Sequence, residues 1–98
     1  MRVVTSPAAD ADLEEIATYI AQDNPTRARS YVLELRTKSQ QLGDTPGMGR
    51  MRPDIREGIR VFPHGNYLIF YTVHDDLVRI ERFMHGARDI GVDDFSGA

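Results

Sequence analysis

The sequence predicts a small α+β domain in the order β-α-α-β-β-β, a two-helix hairpin packed on a mainly antiparallel sheet. Residues 67–73, YLIFYTV, and 77–84, LVRIERFM, are β-branched and aromatic runs separated by Asp75-Asp76, the pattern of a β-hairpin. Residues 6–43 hold two successive helical periods, each opened by a capping residue and a proline, Ser6-Pro7 and Asn24-Pro25. At 98 residues, 41% hydrophobic and 28% charged, the chain fits one domain, 1–98, with one core.

Each element follows from its residues. Arg2–Thr5, with adjacent valines, predicts a short strand. Ala9, Leu13, Ile16, Ala17 and Ile20 recur at helical spacing after Ser6-Pro7, while Asp12, Glu15 and Asp23 read as a solvated face. Asn24-Pro25 stops one helix and starts the next, which runs to about Leu42 with Ala28, Tyr31, Val32, Leu35, Ser39 and Leu42 inward and Gly43 as its C′ residue. So short a link predicts an antiparallel helical hairpin with Leu13, Ile16, Ile20, Val32, Leu35 and Leu42 in the core. Residues 43–58, with two prolines, four glycines and Arg50, Arg52 and Arg56, form the one long irregular stretch, either a functional loop or a connector. Ile59–Phe62 is a further strand, Pro63 to Asn66 a turn, and residues 91–98 an acidic, flexible tail.

A two-residue turn at Asp75-Asp76, whose residues tolerate left-handed backbone, pairs Val73 with Val78, Tyr71 with Ile80, Ile69 with Arg82 and Tyr67 with Met84. Pairing Phe62 with Tyr67 then brings Arg60 opposite Ile69. One sheet face carries Arg60, Phe62, Tyr67, Ile69, Tyr71, Ile80, Arg82 and Met84; the other carries Ile59, Val61, Leu68, Phe70 and Phe83. The second face is the more aliphatic and is assigned to the helices. The first is left open, and an apolar patch rimmed by charge marks a partner site.

Net charge is −3, distributed as −4 over residues 1–24, +4 over 25–60 and −3 over 61–98. An acidic chain with a basic middle argues against direct DNA binding by electrostatics. Cysteine is absent, which excludes disulfides and thiolate zinc sites. The opening residues, MRVVTSPAAD, lack the apolar stretch of a signal peptide and no run suits a membrane, so a cytoplasmic protein is expected. No catalytic motif, phosphate loop or metal-ligand spacing occurs, and no cofactor is expected. His64, His74 and His85 lie at turns or a strand end and read as surface or capping histidines. His85-Gly86-Ala87-Arg88-Asp89 is denser, suited either to acid–base work on RNA or to a plain Arg88–Asp89 surface pair.

The stretches SPAADADLEEIATYIAQDNP, TPGMGRMRP, IRVFPHGNYLIFYTV and MHGARD, in this order, resemble the ParE toxins of the RelE/ParE superfamily of type II toxin–antitoxin systems. The resemblance spans about residues 2–90 and implies that fold, a toxin that inhibits DNA gyrase, and neutralisation by a ParD-like antitoxin. RelE-type members instead cut messenger RNA on the ribosome with sheet lysines and arginines and often a C-terminal tyrosine. Here Arg60 stands where lysines would be, Leu68 near the place of an arginine, and Arg88 matches an arginine after the last strand, with no tyrosine beyond it. These departures favour a binding poison over an enzyme. A ribosome-dependent endoribonuclease and a degenerate toxin that only binds antitoxin remain the alternatives. The open face of the strand pairing above is the expected antitoxin site, at Arg60, Tyr67, Ile69, Tyr71, Ile80, Arg82 and Met84, with His85 and Arg88 as a candidate site of toxicity or target contact.

Overall fold

A computed structural model describes residues 1–95. Strand β1 (Arg2–Thr5) is followed by helices α1 (Pro7–Ala21) and α2 (Pro25–Asp44), then by strands β2 (Arg50–Met51), β3 (Ile59–His64), β4 (Tyr67–Val73) and β5 (Leu77–His85). The sheet order is β1-β5-β4-β3-β2, antiparallel except where β1 runs parallel to β5. The architecture is α+β as expected, with one added strand, the two-residue β2 inside the irregular stretch, which pairs Arg50 with Val61 and Met51 with Arg60.

Both helix starts follow the cap-plus-proline signal. Ser6 Oγ accepts from the Ala9 N–H at 3.0 Å and Asn24 Oδ1 from the Arg27 N–H at 3.0 Å. Ser6 Oγ also donates to the Glu81 carbonyl at 2.8 Å, so the first cap fastens α1 to β5. The helix pair buries Ala9, Leu13, Ile16, Tyr31, Leu35 and Leu42 against the sheet, with Ile20 and Val32 half-buried at the margin. Gly43 lies inside α2 rather than beyond it. A Cβ there would meet Val3 Cγ2 at 2.5 Å and the Met1 carbonyl at 2.8 Å, so glycine is needed for α2 to lie against the start of β1.

The β4–β5 register follows expectation at Val73–Val78 and Tyr71–Ile80 and then departs from it. A β-bulge at Glu81 sets Phe70 against Arg82, Ile69 against Phe83 and Tyr67 against His85. The extra residue exchanges faces beyond it, because side chains alternate along a strand. Phe83 therefore joins the Ile69–Tyr71–Ile80 face, while Met84 moves to the other. The β3–β4 turn is also tighter than expected: His64 pairs with Tyr67 and Phe62 with Ile69, leaving Gly65-Asn66 as a two-residue turn with Gly65 at φ 59°. Glycine at the first central position is the type II′ arrangement. At Asp75-Asp76 neither residue is left-handed.

The helices cover the face opposite to the one assigned to them. Ile69, Tyr71, Val78, Ile80 and Phe83 form the main core with α1 and α2. Ile69, Tyr71 and Ile80 are fully buried, so the open partner face expected at these residues does not exist. The reversal has a cause distant in sequence. The Tyr71 hydroxyl accepts from the Gly49 N–H at 2.7 Å and donates to the Pro46 carbonyl at 2.7 Å, and a buried tyrosine needs only such a partner. The other face, with Ile59, Val61, Phe70 and Met84, forms a second core closed by Ile55 from the β2–β3 loop and by Phe95. The tail thus docks through residue 95, the Phe70 and Phe95 rings lying 5.1 Å apart after a 3-10 turn at Val92–Asp94. The rest of the expected tail, residues 96–98, lies outside the described residues.

Leu35→Ala is expected to cost about 2–5 kcal/mol, the range for a fully buried leucine. Tyr71→Phe is expected to cost roughly 1–3 kcal/mol, because it leaves the Gly49 N–H and the Pro46 carbonyl without their partner. Urea unfolding of both variants measures the two costs.

Candidate functional site

At the end of the sheet beside the Gly65-Asn66 turn, α1, α2, β4 and β5 enclose a cleft of about 390 Å³ lined by Tyr19, Arg27, Tyr31, Asn66, Tyr67 and His85. Its wall is a chain of rings. His64 and Tyr31 lie 5.6 Å apart between centroids, Tyr31 and Tyr67 5.8 Å, and Tyr67 and His85 5.1 Å in an edge-to-face contact. Arg27 lies over the Tyr31 ring at 5.0 Å. Arg27, Tyr31 and Glu34 reach this wall together because they are three and four residues apart on one stripe of α2. Gly65 makes the approach of α2 possible, since a Cβ there would stand 2.9 Å from the Tyr31 hydroxyl.

The cleft is electrostatically settled. The Arg27 guanidinium holds the Glu34 carboxyl down at about 2, with a further bond from His64 Nε2 at 2.9 Å. Burial pushes the Tyr31 and Tyr67 phenols up, so both remain protonated donors. The Tyr31 hydroxyl donates to the His64 carbonyl at 2.5 Å. An ionised Glu34 and protonated phenols suit the cleft to receiving a ligand through ring contacts and hydrogen bonds.

The residues singled out in the sequence are dispersed by the fold. Tyr67 and His85 meet in the cleft. Arg60 is half-buried, and its guanidinium donates to the Gly49 carbonyl at 2.7 Å. Ile69, Tyr71 and Ile80 lie in the main core and Met84 in the second. Arg82, expected at a partner's carboxylates, is bound to Asp12 in two bonds of 2.7 and 2.9 Å. Asp12, read as solvated, is buried and also accepts from the Phe83 N–H at 3.0 Å. Arg88 pairs with Asp94, not with Asp89. His85 is exposed and its Nδ1 accepts from the Ala87 N–H at 3.0 Å. Among the described residues no group of three or more His, Asp or Glu is placed to hold a metal.

Sequence reasoning missed Tyr19, Arg27, Tyr31, Glu34 and Asn66 as cleft residues. The Arg27–Tyr31–Glu34 spacing was a usable signal. The approach of the Gly65 turn to α2 was not, because it depends on the register of β3.

Asp12→Ala is expected to destabilise by roughly 2–4 kcal/mol, leaving a half-buried guanidinium without its carboxylate and the Phe83 N–H unpaired. Glu34 has a lowered folded pKa, so its links stabilise fully above its ordinary value of 4.5 and lose that contribution as pH falls toward about 2. The difference in Tm between wild type and Glu34→Gln is expected to be small, because the pair is exposed, and to close over that interval.

The chain matches the family described as "ParE toxin of type II toxin-antitoxin system, parDE" over residues 3–90. It is 40% identical over 88 residues to Toxin RelE2 of Caulobacter vibrioides, covering 89% of this chain and 97% of that one. It is 33% identical over 92 residues to Toxin ParE1 of Mycobacterium tuberculosis, covering 91% and 93%. A solved structure of the chromosomal ParDE system from P. aeruginosa shares the fold, with a TM-score of 0.73 at 22% identity over 87% of this chain and 95% of that one. The chain belongs to the ParE toxin family of type II toxin–antitoxin systems.

Proposed function

We propose that this toxin acts by binding rather than by cutting, that DNA gyrase is its target, and that a ParD-like antitoxin holds it inactive in the cytoplasm. The observation that carries this reading is where the arginines go. Arg52 is tied to Asp54, Arg60 to the Gly49 carbonyl, Arg82 to Asp12 and Arg88 to Asp94. Cleavage of RNA needs cations free to meet a phosphate and its developing charge, and Arg60 and Arg88, the two positions a RelE-like set would use, are both engaged. The cleft is the proposed target contact, with His85 and Tyr67 at its mouth; in this reading Arg88 acts by holding Asp94.

One observation favours the second reading, a RelE-like ribonuclease. His64 and Glu34 are hydrogen-bonded at 2.9 Å beside the cleft, a pair able to move a proton. Expression without antitoxin separates the two. A DNA-damage response, filamentation and loss of gyrase supercoiling in vitro are expected, with His85→Ala reducing toxicity while leaving the fold intact. Arrest of translation with cleavage of ribosome-bound messenger, abolished by His64→Ala, would instead establish the nuclease.

A further inference from the structure

On the opposite sheet edge, Met48, Arg50, Val61, Pro63 and Leu68 border a mostly apolar groove of about 380 Å³. Val61 is buried at its floor, and Met48 is 38% exposed at its rim. The Ile59 carbonyl accepts from the Arg52 N–H, so alternate β3 residues, Val61 and then Pro63, turn their backbone toward this edge. Strand β2 pairs Arg50 with Val61 and extends no further, leaving Pro63 at the open edge without an N–H to offer. A partner therefore reads this edge through side chains rather than by adding a full strand.

The charge around the groove is one-sided. Residues 48–60 hold four arginines against Asp54 and Glu57. Arg52 is bound to Asp54 and Arg60 to a carbonyl. Arg50 and Arg56 are exposed and, among the described residues, neither guanidinium makes a hydrogen bond or ion pair; Arg50, which also helps hold the Asp54 carboxyl low, is the one that borders the groove. A free guanidinium at the lip of an apolar hollow complements a carboxylate beside an apolar side chain. A nucleic-acid backbone fits less well, because phosphate binding needs several free cations in a row.

We propose that this groove seats an acidic, extended segment of the protein antitoxin, a carboxylate pairing with Arg50 while an apolar side chain enters between Met48 and Leu68. The inference rests on the reading that an antitoxin neutralises this chain, and it places that contact on a different edge from the tyrosine cleft.

The test titrates a cognate ParD-like antitoxin into wild type, Arg50→Glu, Arg50→Lys, Met48→Asp and Arg2→Glu by calorimetry. Arg2 is exposed on the far edge and serves as a matched charge reversal. Arg50→Glu and Met48→Asp are expected to weaken binding about tenfold or more, with Arg50→Lys and Arg2→Glu near wild type. Both groove residues are exposed, and circular dichroism checks that each variant folds. Unchanged affinity in both groove variants overturns this seat and leaves neutralisation by the antitoxin standing. Absence of binding by wild type overturns that reading and this inference together. Altered self-association of the groove variants by sedimentation, with antitoxin affinity unchanged, would assign the groove to a second copy of the chain and overturn the proposal.

Discussion

The Asp12–Arg82 pair is the interaction on which most of the structure turns. Asp12 sits on α1, takes both arms of the Arg82 guanidinium and accepts the Phe83 N–H. That N–H belongs to a stretch of β5 beyond the reach of β1, whose pairing stops at Thr5–Ile80. Without Asp12 the edge of β5 would present an unpaired donor beside a charge in a half-dry place, a costly combination. The same arginine also donates to the Asp94 carbonyl at 3.3 Å, so one guanidinium joins helix, bulged strand and C-terminal segment.

The bulge beside this pair decides which side chains face which core. Glu81 is the surplus residue, and its buried carboxylate accepts from the Thr72 hydroxyl at 2.8 Å and from Arg79 at 3.2 Å. With the backbone carbonyl of Glu81 taken by Ser6, its carbonyl and its carboxylate are both hydrogen-bonded, which stabilises the irregularity. Past it, Phe83 packs under the helices and Met84 enters the second core. A single sheet thereby supports two apolar layers, one closed by α1 and α2 and the other by a loop isoleucine and Phe95. Burial on both faces explains why β4 reads as a nearly continuous apolar run.

Much of the fold was legible in the residues, and the parts that were not share a cause. The helix caps, the helical core stripe and the start of the β4–β5 hairpin depend on neighbours in sequence, and their chemistry is local. The bulge left one trace, the three-residue spacing of Ile80 and Phe83 where strict alternation would give two. The choice of covered face left none. Tyr71 and Arg60 look like surface residues until the Pro46–Gly49 carbonyls and N–H come round to meet them, a contact across more than ten residues. Gly49 permits that closeness, for a Cβ there would stand 2.5 Å from the Tyr71 hydroxyl. Asp12 escaped for the same reason, since its partner lies 70 residues away. Of the site, Tyr67, His85 and the Arg27–Tyr31–Glu34 stripe were visible in the residues, while the approach of the Gly65 turn to that stripe required the fold.

The distribution of charge now has a structural meaning. The arginines of β5 and its end, with those of the Arg52 and Arg60 corner, are consumed in holding layers together. The tyrosine cleft keeps only Arg27, and Glu34 neutralises it. Recognition in the cleft is therefore governed by ring shape and by protonated hydroxyls, which are sensitive to fit and little affected by salt. Arg50, without an ion-pair partner among the described residues, lies over an apolar hollow at the other edge, where long-range attraction would act on the rate and orientation of an encounter. On the proposed reading, one small domain separates a contact selected by shape from a contact selected by charge, even though the chain as a whole is acidic.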